Sequence, residues 1–349
     1  MTGEGGSKLE TLGLTAEMAA AFDSLAGPDL ALGRVTRVER GFANVVTERM
    51  EGAFHVPKGL LRESDKRRAL DQTPVTGDWV VVSTSRQAIE RVLPRTTQFV
   101  RRAAGKRDEA QVVAANVDVV FLLMGLDGDF NVRRLERYLT LSSESGAKAV
   151  VLLTKAGLCS DVPSRVAEVE AVAPGVVIHP IDVVSGIDVD APLQHVGPGV
   201  TAALIGSSGV GKSTLANFLM GTEVAKTREV RAHDERGKHT TSRRELYLLG
   251  GGGIVIDTPG MRELALWGET KSLDAAFPDV VEIALGCRFS DCAHGTEPGC
   301  AVRAAVRDGA LEATRLASYQ ALAAELEDRE GARSRRYPRS TDRPPRSRR

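Results

Sequence analysis

The chain has 349 residues, 42% of them hydrophobic and 26% charged, which is ordinary globular material for two or three domains. Its 46 basic and 46 acidic residues cancel, so any contact with nucleic acid has to come from a local patch. No apolar run has the length of a signal peptide or a membrane span, so we expect a cytoplasmic protein with no membrane partner. In that compartment the 4 cysteines favour metal ligands or free thiols over disulfides.

The first part of the chain predicts a multidomain protein that begins with β structure. Residues 1–30 predict a flexible extension with one short helical turn near Ala16–Leu25. Short alternating apolar runs separated by turn residues follow in 31–105 and predict a small β-barrel of the oligonucleotide-binding, OB-like type. The sequence leaves open whether this barrel binds RNA or serves only as a spacer.

The next region changes to alternating strands and helices. Within residues 106–271 the apolar runs Val117–Met124 and Ala149–Leu153 predict buried strands, and the alternation predicts an α/β domain with a parallel sheet. Residues 272–328 predict helices around a cluster of Cys and His. Residues 329–349 are rich in Arg, Ser and Pro and predict a disordered basic tail, for which solvation alone and contact with phosphates both stay open.

The most specific motif is a phosphate-binding loop in the α/β region. The segment Gly206-Ser-Ser-Gly-Val-Gly-Lys-Ser-Thr214 matches G-x-x-x-x-G-K-[ST], between the predicted strand Ala202–Ile205 and the predicted helix Leu215–Met220. Its N–H groups and the helix N-terminus favour phosphate, Lys212 can reach the β- and γ-phosphates, and Ser213 can hold Mg²⁺. The predicted nucleotide-binding residues of this loop are Gly206, Ser207, Ser208, Gly209, Val210, Gly211, Lys212, Ser213 and Thr214.

Two further segments downstream are typical of the nucleotide-sensing loops of GTPases. Asp257-Thr-Pro-Gly260 follows the apolar strand Ile254–Ile256 and fits D-x-x-G, in which Asp257 binds Mg²⁺ through water and the Gly260 N–H contacts the γ-phosphate. Between this element and the phosphate loop, residues 236–242 are polar and turn-prone. Thr240 and Thr241 in that segment are both candidates to complete the Mg²⁺ shell, as switch loops do.

The base-recognition element N-K-x-D normally follows D-x-x-G, but no segment there fits it. The nearest match precedes the phosphate loop, in Leu152–Leu158 at the end of a buried strand. The order of elements is therefore permuted, with base recognition first. The predicted base-binding residues are Thr154, Lys155, Ala156 and Gly157.

A compact cluster near the carboxyl terminus offers four metal ligands. Its spacing is Cys287-x4-Cys292-x-His294-x5-Cys300, which suffices for one closed, tetrahedral and therefore structural zinc site. Three of the 4 cysteines fall in this cluster, which argues against a chance grouping. Cys159 lies elsewhere and is expected to be a buried apolar residue.

Taken together, these motifs resemble the circularly permuted bacterial GTPases called ribosome small-subunit-dependent GTPase A. The resemblance covers about residues 30–325 and also rests on Val75–Val80 and Ala114–Asp118. It implies an OB-like barrel, a permuted GTPase domain with GTP and Mg²⁺, and a zinc-binding helical domain. It further implies a role in late maturation of the small (30S) ribosomal subunit, with the 16S rRNA and its assembly factors as partners and hydrolysis stimulated by the subunit. We expect a monomer.

The chain departs from the family pattern at the base-recognition element. Gly157 stands where the family usually has Asp, and Thr154 replaces Asn. That Asp accepts two hydrogen bonds from guanine, so its loss is expected to weaken guanine preference by on the order of a hundredfold. Asp161 lies four positions on, at the wrong spacing, and Asp182-Val183 replaces the S-A pair of the next element.

The catalytic prediction comes from the resemblance. Met261 follows D-x-x-G, where many GTPases have a glutamine that orients the attacking water, and a thioether cannot do so. The resemblance points instead to His239 as the residue that positions water.

Two other functions stay open at this point. One is an RNA- or ribosome-binding module that uses the triphosphate mainly as a structural switch, which Met261 and the altered base site favour. The other is a P-loop kinase for a small molecule, which the D-T-P-G element and the cysteine cluster disfavour.

Overall fold

The computed structural model of the chain describes residues 7–25, 27–60, 72–102, 110–221, 245–257 and 270–336. The strands are β1 Leu30–Glu39, β2 Phe42–Thr47, β3 Glu51–His55, β4 Trp79–Ser83, β5 Ala88–Val92, β6 Gln98–Arg102, β7 Ala110–Ala115, β8 Val119–Gly125, β9 Lys148–Thr154, β10 Val177–Pro180, β11 Thr201–Gly206, β12 Glu245–Leu248 and β13 Ile254–Asp257. The helices are α1 Lys8–Thr11, α2 Ala16–Asp23, α3 Val132–Ser145, α4 Val162–Val172, α5 over residues 212–221, α6 Thr270–Ala276, α7 Pro278–Ala284, α8 Ala301–Arg307 and α9 Ala313–Arg336. None of the helices in these ranges is long and apolar enough to cross a bilayer.

The predicted barrel is present and has five strands. They run in the order β1-β2-β3-β5-β4, and β4 pairs with β1 to close the ring. The interior is filled by apolar side chains that alternate along the strands, including Val45, Phe54, Val80 and Ile89.

The parallel sheet has the order β10-β9-β8-β11-β13, with β12 antiparallel to β13 at one edge. Every residue of β8 and of β11 is buried, because helices and loops cover both faces of the sheet. The carboxyl ends of β8, β9, β11 and β13 meet at one edge, which is where such sheets bind their ligands.

The barrel and the parallel sheet share one continuous hydrogen-bonded sheet. β1 pairs with β12 through Arg37 and Glu245, which gives an 11-stranded order across both units. Residues 236–242, the predicted switch segment, are followed in the chain by β12. The barrel is therefore paired with the strand that comes next after this segment.

A buried arginine also joins the units. Arg34 of β1 is 1% exposed and donates hydrogen bonds to the main-chain oxygens of Leu12, Gly77 and Asn116 and to the hydroxyl of Thr201. Burial lowers the pKa of Arg34 to about 10, so the guanidinium stays charged at neutral pH. It fixes the amino-terminal helices and the barrel against β11.

The amino-terminal segment contains the helical turn predicted near Ala16–Leu25, as α2, but its described residues pack against the fold instead of extending from it. It forms α1 and α2, and it buries Leu9, Leu12 and Met18 against the main core. The carboxylate of Glu48 accepts hydrogen bonds from the first N–H groups of α1, at Lys8 and Leu9. A polar, Gly-rich sequence gave no signal of these contacts, because each partner lies in a distant element.

Two other boundaries differ from the sequence expectation. The β6–β7 hairpin spans the predicted domain boundary at 105/106, because residues on either side of it pair with each other. Helix α9 continues to Arg336, past the predicted onset of disorder at Arg329, in a stretch rich in the helix formers Glu, Arg and Ala. Residues 337–349 of the predicted tail lie outside the described residues.

Helix α9 attaches the carboxyl-terminal helices to the α/β unit. Arg315 is 5% exposed and pairs with Glu136 of α3 at 2.7 Å and with Asp279 of α7 at 2.8 Å. Its guanidinium also lies over the ring of Phe277, 4.1 Å from the centroid. This ion-pair cluster therefore holds three elements together.

Candidate nucleotide site and metal centre

The phosphate loop lies between β11 and α5, at the carboxyl edge of the sheet. Gly209 and Gly211 have φ values of +75° and +104°, a conformation that favours glycine. A Cβ at Gly206 would lie 2.8 Å from the main-chain oxygen of Leu123, so the start of the loop has no room for a side chain. The motif residues therefore form the tight backbone turn that directs N–H groups at one point.

Lys212 lies folded over this loop. Its ammonium donates hydrogen bonds to the main-chain oxygens of Gly206, at 2.7 Å, and Ser207. These contacts hold the positive charge at the mouth of the loop, beside the N-terminus of α5. Ser213 and Thr214 are exposed on the first turn of that helix.

The acidic loop after β8 forms a hydrogen bond with the phosphate loop, a contact that was not predicted from the sequence. The hydroxyl of Ser207 donates a hydrogen bond to Asp129, whose carboxylate also pairs with Arg134 at 2.8 Å. Asp127 in the same loop pairs with Lys155 at 2.6 Å, and the hydrogen bond from Lys155 holds the pKa of that carboxyl below its usual range. The sequence feature that could have indicated this contact is the pair Asp127 and Asp129, which follows the buried strand β8 next to β11.

Thr154 connects the base-recognition segment to the phosphate loop. It ends β9, is buried, and donates a hydrogen bond from Oγ1 to the main-chain oxygen of Val210 at 2.7 Å. Lys155 follows in the left-handed conformation with φ +60°, and Ala156 and Gly157 start a short 3-10 helix. The structure thus brings together two predicted segments that lie about fifty residues apart in sequence.

Asp182 lies against Gly157, which sequence analysis did not foresee. Its Oδ2 accepts a hydrogen bond from the Gly157 N–H at 3.1 Å, and its Oδ1 accepts from the N–H groups of Val184 and Ser185 at 2.9 and 3.1 Å. Burial alone would raise the pKa of Asp182, but the bonds from Ser185, Val184 and Gly157 outweigh it and place the pKa below the ordinary value. By contrast, Asp161 caps α4 by accepting from the N–H of Ser164.

Among the magnesium-binding, phosphate-sensing and catalytic residues predicted downstream of the phosphate loop, the structure describes only Asp257. Asp257 is the last residue of β13, whose neighbour in the sheet is β11, so its backbone lies at the same edge as the phosphate loop. The predictions for Thr240, Thr241 and Gly260, and for the catalytic His239, fall outside the described residues.

The predicted metal ligands converge on one point. The donor atoms of Cys287, Cys292, His294 and Cys300 all lie within 4.8 Å of one another. The Sγ atoms of Cys287 and Cys300 lie 3.7 and 3.5 Å from Nδ1 of His294 and 4.0 Å from each other. Ligands of a tetrahedral zinc ion lie roughly 3.5–3.8 Å apart, so this donor set fits one zinc. Cys159 is half-buried, outside the cluster.

The region around the cluster is held by further contacts. His294 has φ +58°, and its main-chain oxygen accepts a hydrogen bond from Gln320 of α9 at 2.8 Å. Cys300 caps α8 by accepting a hydrogen bond from the Arg303 N–H. The cluster therefore joins α8 to α9, which is itself fixed to α3 through Arg315.

Comparisons with known proteins agree with this architecture. The family model described as RsgA GTPase matches residues 92–267. The small ribosomal subunit biogenesis GTPase RsgA of Syntrophotalea carbinolica is 41% identical over 329 residues, which cover 91% of this chain and 89% of that protein. The protein of the same name from Streptomyces coelicolor is 42% identical over 321 residues, covering 90% and 86%.

Two solved structures resemble the fold. YjeQ from Thermotoga maritima superposes with a TM-score of 0.61 at 24% identity and covers 85% of this chain and 99% of its own. YloQ, described as a circularly permuted GTPase, superposes with a TM-score of 0.58 at 26% identity and covers 86% and 96%.

A phosphate loop that follows the predicted base-recognition segment, on a parallel sheet flanked by a barrel and a Cys/His cluster, defines a circularly permuted P-loop GTPase. The extent of the sequence match then identifies the particular group. The chain belongs to the RsgA GTPase family and is a GTP hydrolase.

Proposed function

We propose that this protein is a Mg²⁺-dependent GTPase that binds the small ribosomal subunit and acts in its late maturation, with hydrolysis stimulated by the subunit. The main support for the proposal is that two flanking units are attached to the unit that contains the nucleotide site. The barrel is attached through β12, and the helices with the metal cluster are attached through Arg315. Curated relatives at about two-fifths identity are named small ribosomal subunit biogenesis GTPases, which supports the choice of partner.

Magnesium and nucleotide are assigned to oxygen donors at the sheet edge. Ser213, Asp257 and one of Thr240 and Thr241 would hold Mg²⁺, because hydroxyl and carboxylate oxygens are the ligands this ion takes. When bound, the ion neutralises charge on the β- and γ-phosphates. Lys212 and the loop N–H groups hold the phosphates themselves.

Hydrolysis is assigned to positioned water. His239 lies in the predicted switch segment and would orient the attacking water, since Met261 offers no hydrogen bond. Because positioning and charge stabilisation make up nearly all of this chemistry, a partner that orders the segment around His239 would switch hydrolysis on.

The flanking units provide a route from nucleotide state to the partner. The switch segment leads directly into β12, which is paired with barrel strand β1. On the other side, D-x-x-G leads through residues 261–269 into α6 and the metal-binding helices. We propose that changes at Asp257 and Gly260 move these units by direct tethering, as in order–disorder switches.

The cysteine cluster is proposed to hold one structural Zn²⁺. The four ligands leave no position for a catalytic water, so the ion's role is to hold Cys287, Cys292, His294 and Cys300 as one unit. The proposed partners are the 16S rRNA and assembly factors of the small subunit, met by a cytoplasmic monomer.

The test is GTP turnover by the full chain with and without purified small subunits. We expect stimulation by small but not large subunits, and loss of stimulation in His239→Ala with nucleotide affinity unchanged. Absence of stimulation by small subunits at saturating concentration contradicts the proposal.

A second candidate is an RNA- or ribosome-binding module that uses the triphosphate as a structural ligand and hydrolyses it little. Gly157 favours it, because the family's base-binding side chain is absent there. Nucleotide-dependent binding to the subunit without multiple turnovers would support this candidate over the first.

A further inference from the structure

The base-recognition segment poses a chemical problem. Gly157 has no side chain at the position where a carboxylate is expected to accept hydrogen bonds from guanine. The adjacent Thr154 is neutral and donates to the phosphate loop, and Lys155 is a cation paired with Asp127, so neither supplies a negative charge to the base. If guanine is selected, the charge has to come from another element.

Asp182 occupies the space that a side chain at position 157 would fill. A Cβ built on Gly157 would lie 2.8 Å from Oδ2 of Asp182 and 2.8 Å from Oγ of Ser185. A larger residue at 157 would therefore require the carboxylate of Asp182 and the hydroxyl of Ser185 to move away. Glycine at 157 leaves that carboxylate its present position without such a shift.

The charge of Asp182 is held by N–H and O–H donors only. Its four acceptor contacts come from Gly157, Val184 and Ser185, and in the described parts of the chain no Lys or Arg pairs with it. With no cation beside it to offset its charge, this carboxylate attracts a further hydrogen-bond donor. Its lowered pKa keeps it ionised at neutral pH.

One of these contacts is replaceable. The Ser185 hydroxyl donates to Oδ2 at 3.2 Å, the longest of the four contacts, and Ser185 is exposed. A ligand N–H that approaches Oδ2 can take the place of this hydroxyl, which is then free to bond water. The hydrogen bonds from the three backbone N–H groups of Gly157, Val184 and Ser185 keep the carboxylate in position during this exchange.

A carboxylate at this position distinguishes guanine from adenine and xanthine. Guanine presents two adjacent N–H groups, N1–H and N2–H, on the edge that faces such a carboxylate. Adenine presents a bare N1 acceptor there, and xanthine replaces the N2 amino group with a carbonyl oxygen, so both are repelled. Charge-assisted hydrogen bonds are the strongest of their kind, and this makes the carboxylate decisive.

We propose that Asp182, from the loop after β10, supplies the base-recognising carboxylate for guanine in place of a side chain at Gly157. This inference rests on the proposed guanine-nucleotide site and names the residue that gives the site its specificity. Guanine preference is thus relocated rather than lost.

The first test is competition of GDP, XDP and ADP against a fluorescent GDP analogue on the full chain, without ribosomal subunits. Asp182→Asn is expected to weaken GDP by about tenfold to a hundredfold and to strengthen XDP, because the amide N–H meets the xanthine carbonyl. Asp161→Asn is the matched control, since Asp161 only caps α4, and it should leave the GDP-to-XDP ratio unchanged.

A second variant covers the case in which Asp182→Asn does not fold. Gly157→Asp alone places two carboxylates in contact and should weaken GDP binding, whereas Gly157→Asp with Asp182→Ser should restore it. A GDP-to-XDP ratio that is unchanged in Asp182→Asn, or a double variant that binds no better than Gly157→Asp, overturns the inference. Because no subunit is present, a failure here differs from a failure of subunit-stimulated turnover.

Discussion

The hydroxyl of Thr154 donates a 2.7 Å hydrogen bond to the main-chain oxygen of Val210, and this bond joins the end of β9 to the centre of the phosphate loop. Both residues are buried. The predicted base-recognition segment and the phosphate loop are therefore bonded directly to each other, although helix α4 and strands β10 and β11 separate them in the sequence.

Removal of that hydroxyl tests the connection. Thr154→Val keeps the shape but leaves the Val210 oxygen without its partner, at a cost of about 1–3 kcal/mol of unfolding free energy. We also expect GDP affinity to fall by about twofold to tenfold because the loop loses its support. Thr154→Ser retains the hydroxyl and should bind like the parent protein; equal affinity and stability in Thr154→Val would contradict this role.

The metal centre predicts a stoichiometry and a stability effect. The purified chain should contain one zinc per molecule, and strong chelation should lower the unfolding temperature of the carboxyl-terminal helices, because zinc in such modules contributes on the order of 10 kcal/mol. Cys300→Ser should reproduce the loss, whereas Cys159→Ser, outside the cluster, should not. Elemental analysis and thermal unfolding measure both effects, and a zinc-free protein of unchanged stability rules out the assignment.

The buried ion-pair cluster predicts a large and specific destabilisation. Arg315→Met leaves the buried carboxylate of Glu136, whose side chain is 3% exposed, without its cation and also removes the partner of the more exposed Asp279, which should cost about 3–5 kcal/mol. The matched control is Arg137→Met, whose pair with Glu325 is about a third exposed and should cost less than about 1 kcal/mol. Similar losses in both variants, measured by denaturant unfolding, would show that Arg315 does not hold the units together.

The same cluster predicts a pH dependence. Burial works to raise the pKa of Asp279, but its hydrogen bonds with Arg315 outweigh this and hold the pKa below the ordinary value of 3.8. A carboxyl with a lowered folded-state pKa stabilises the fold above pH 3.8, and this contribution disappears as the pH falls through the folded-state pKa. The stability difference between the parent and Arg315→Met should therefore be full near pH 6 and shrink below pH 3.8. A difference that is constant or grows on acidification contradicts this assignment.

Local patterns allowed much of this protein to be predicted from its sequence. The phosphate loop carries its own strand, glycines and helix within about twenty residues, and the metal ligands fall in one short segment, so both were located by spacing alone. The barrel was predicted from short alternating apolar runs, and the parallel sheet from continuous apolar strands that alternate with helices; both are also local signals.

The rest depends on contacts between distant segments. Asp182 follows Gly157 by 25 positions, and the parallel pairing of β9 with β10 brings the two together. The burial of the amino-terminal helices and the pairing of β1 with β12 likewise arise from the closed tertiary structure. In the sequence, Gly157 and Asp182 are two unrelated departures from the family pattern, whereas in the structure the Gly157 N–H donates a hydrogen bond to the Asp182 carboxylate.

The most direct test of the nucleotide site is the affinity of Lys212→Ala for GTP and GDP, measured by equilibrium titration. Lys212 lies over the phosphate loop, and loss of its charge-assisted bonds should weaken binding by on the order of a hundredfold. Lys148→Ala, exposed at the opposite edge of the sheet at the start of β9, should bind like the parent. Full nucleotide affinity in Lys212→Ala would contradict the assignment of this loop as the nucleotide site.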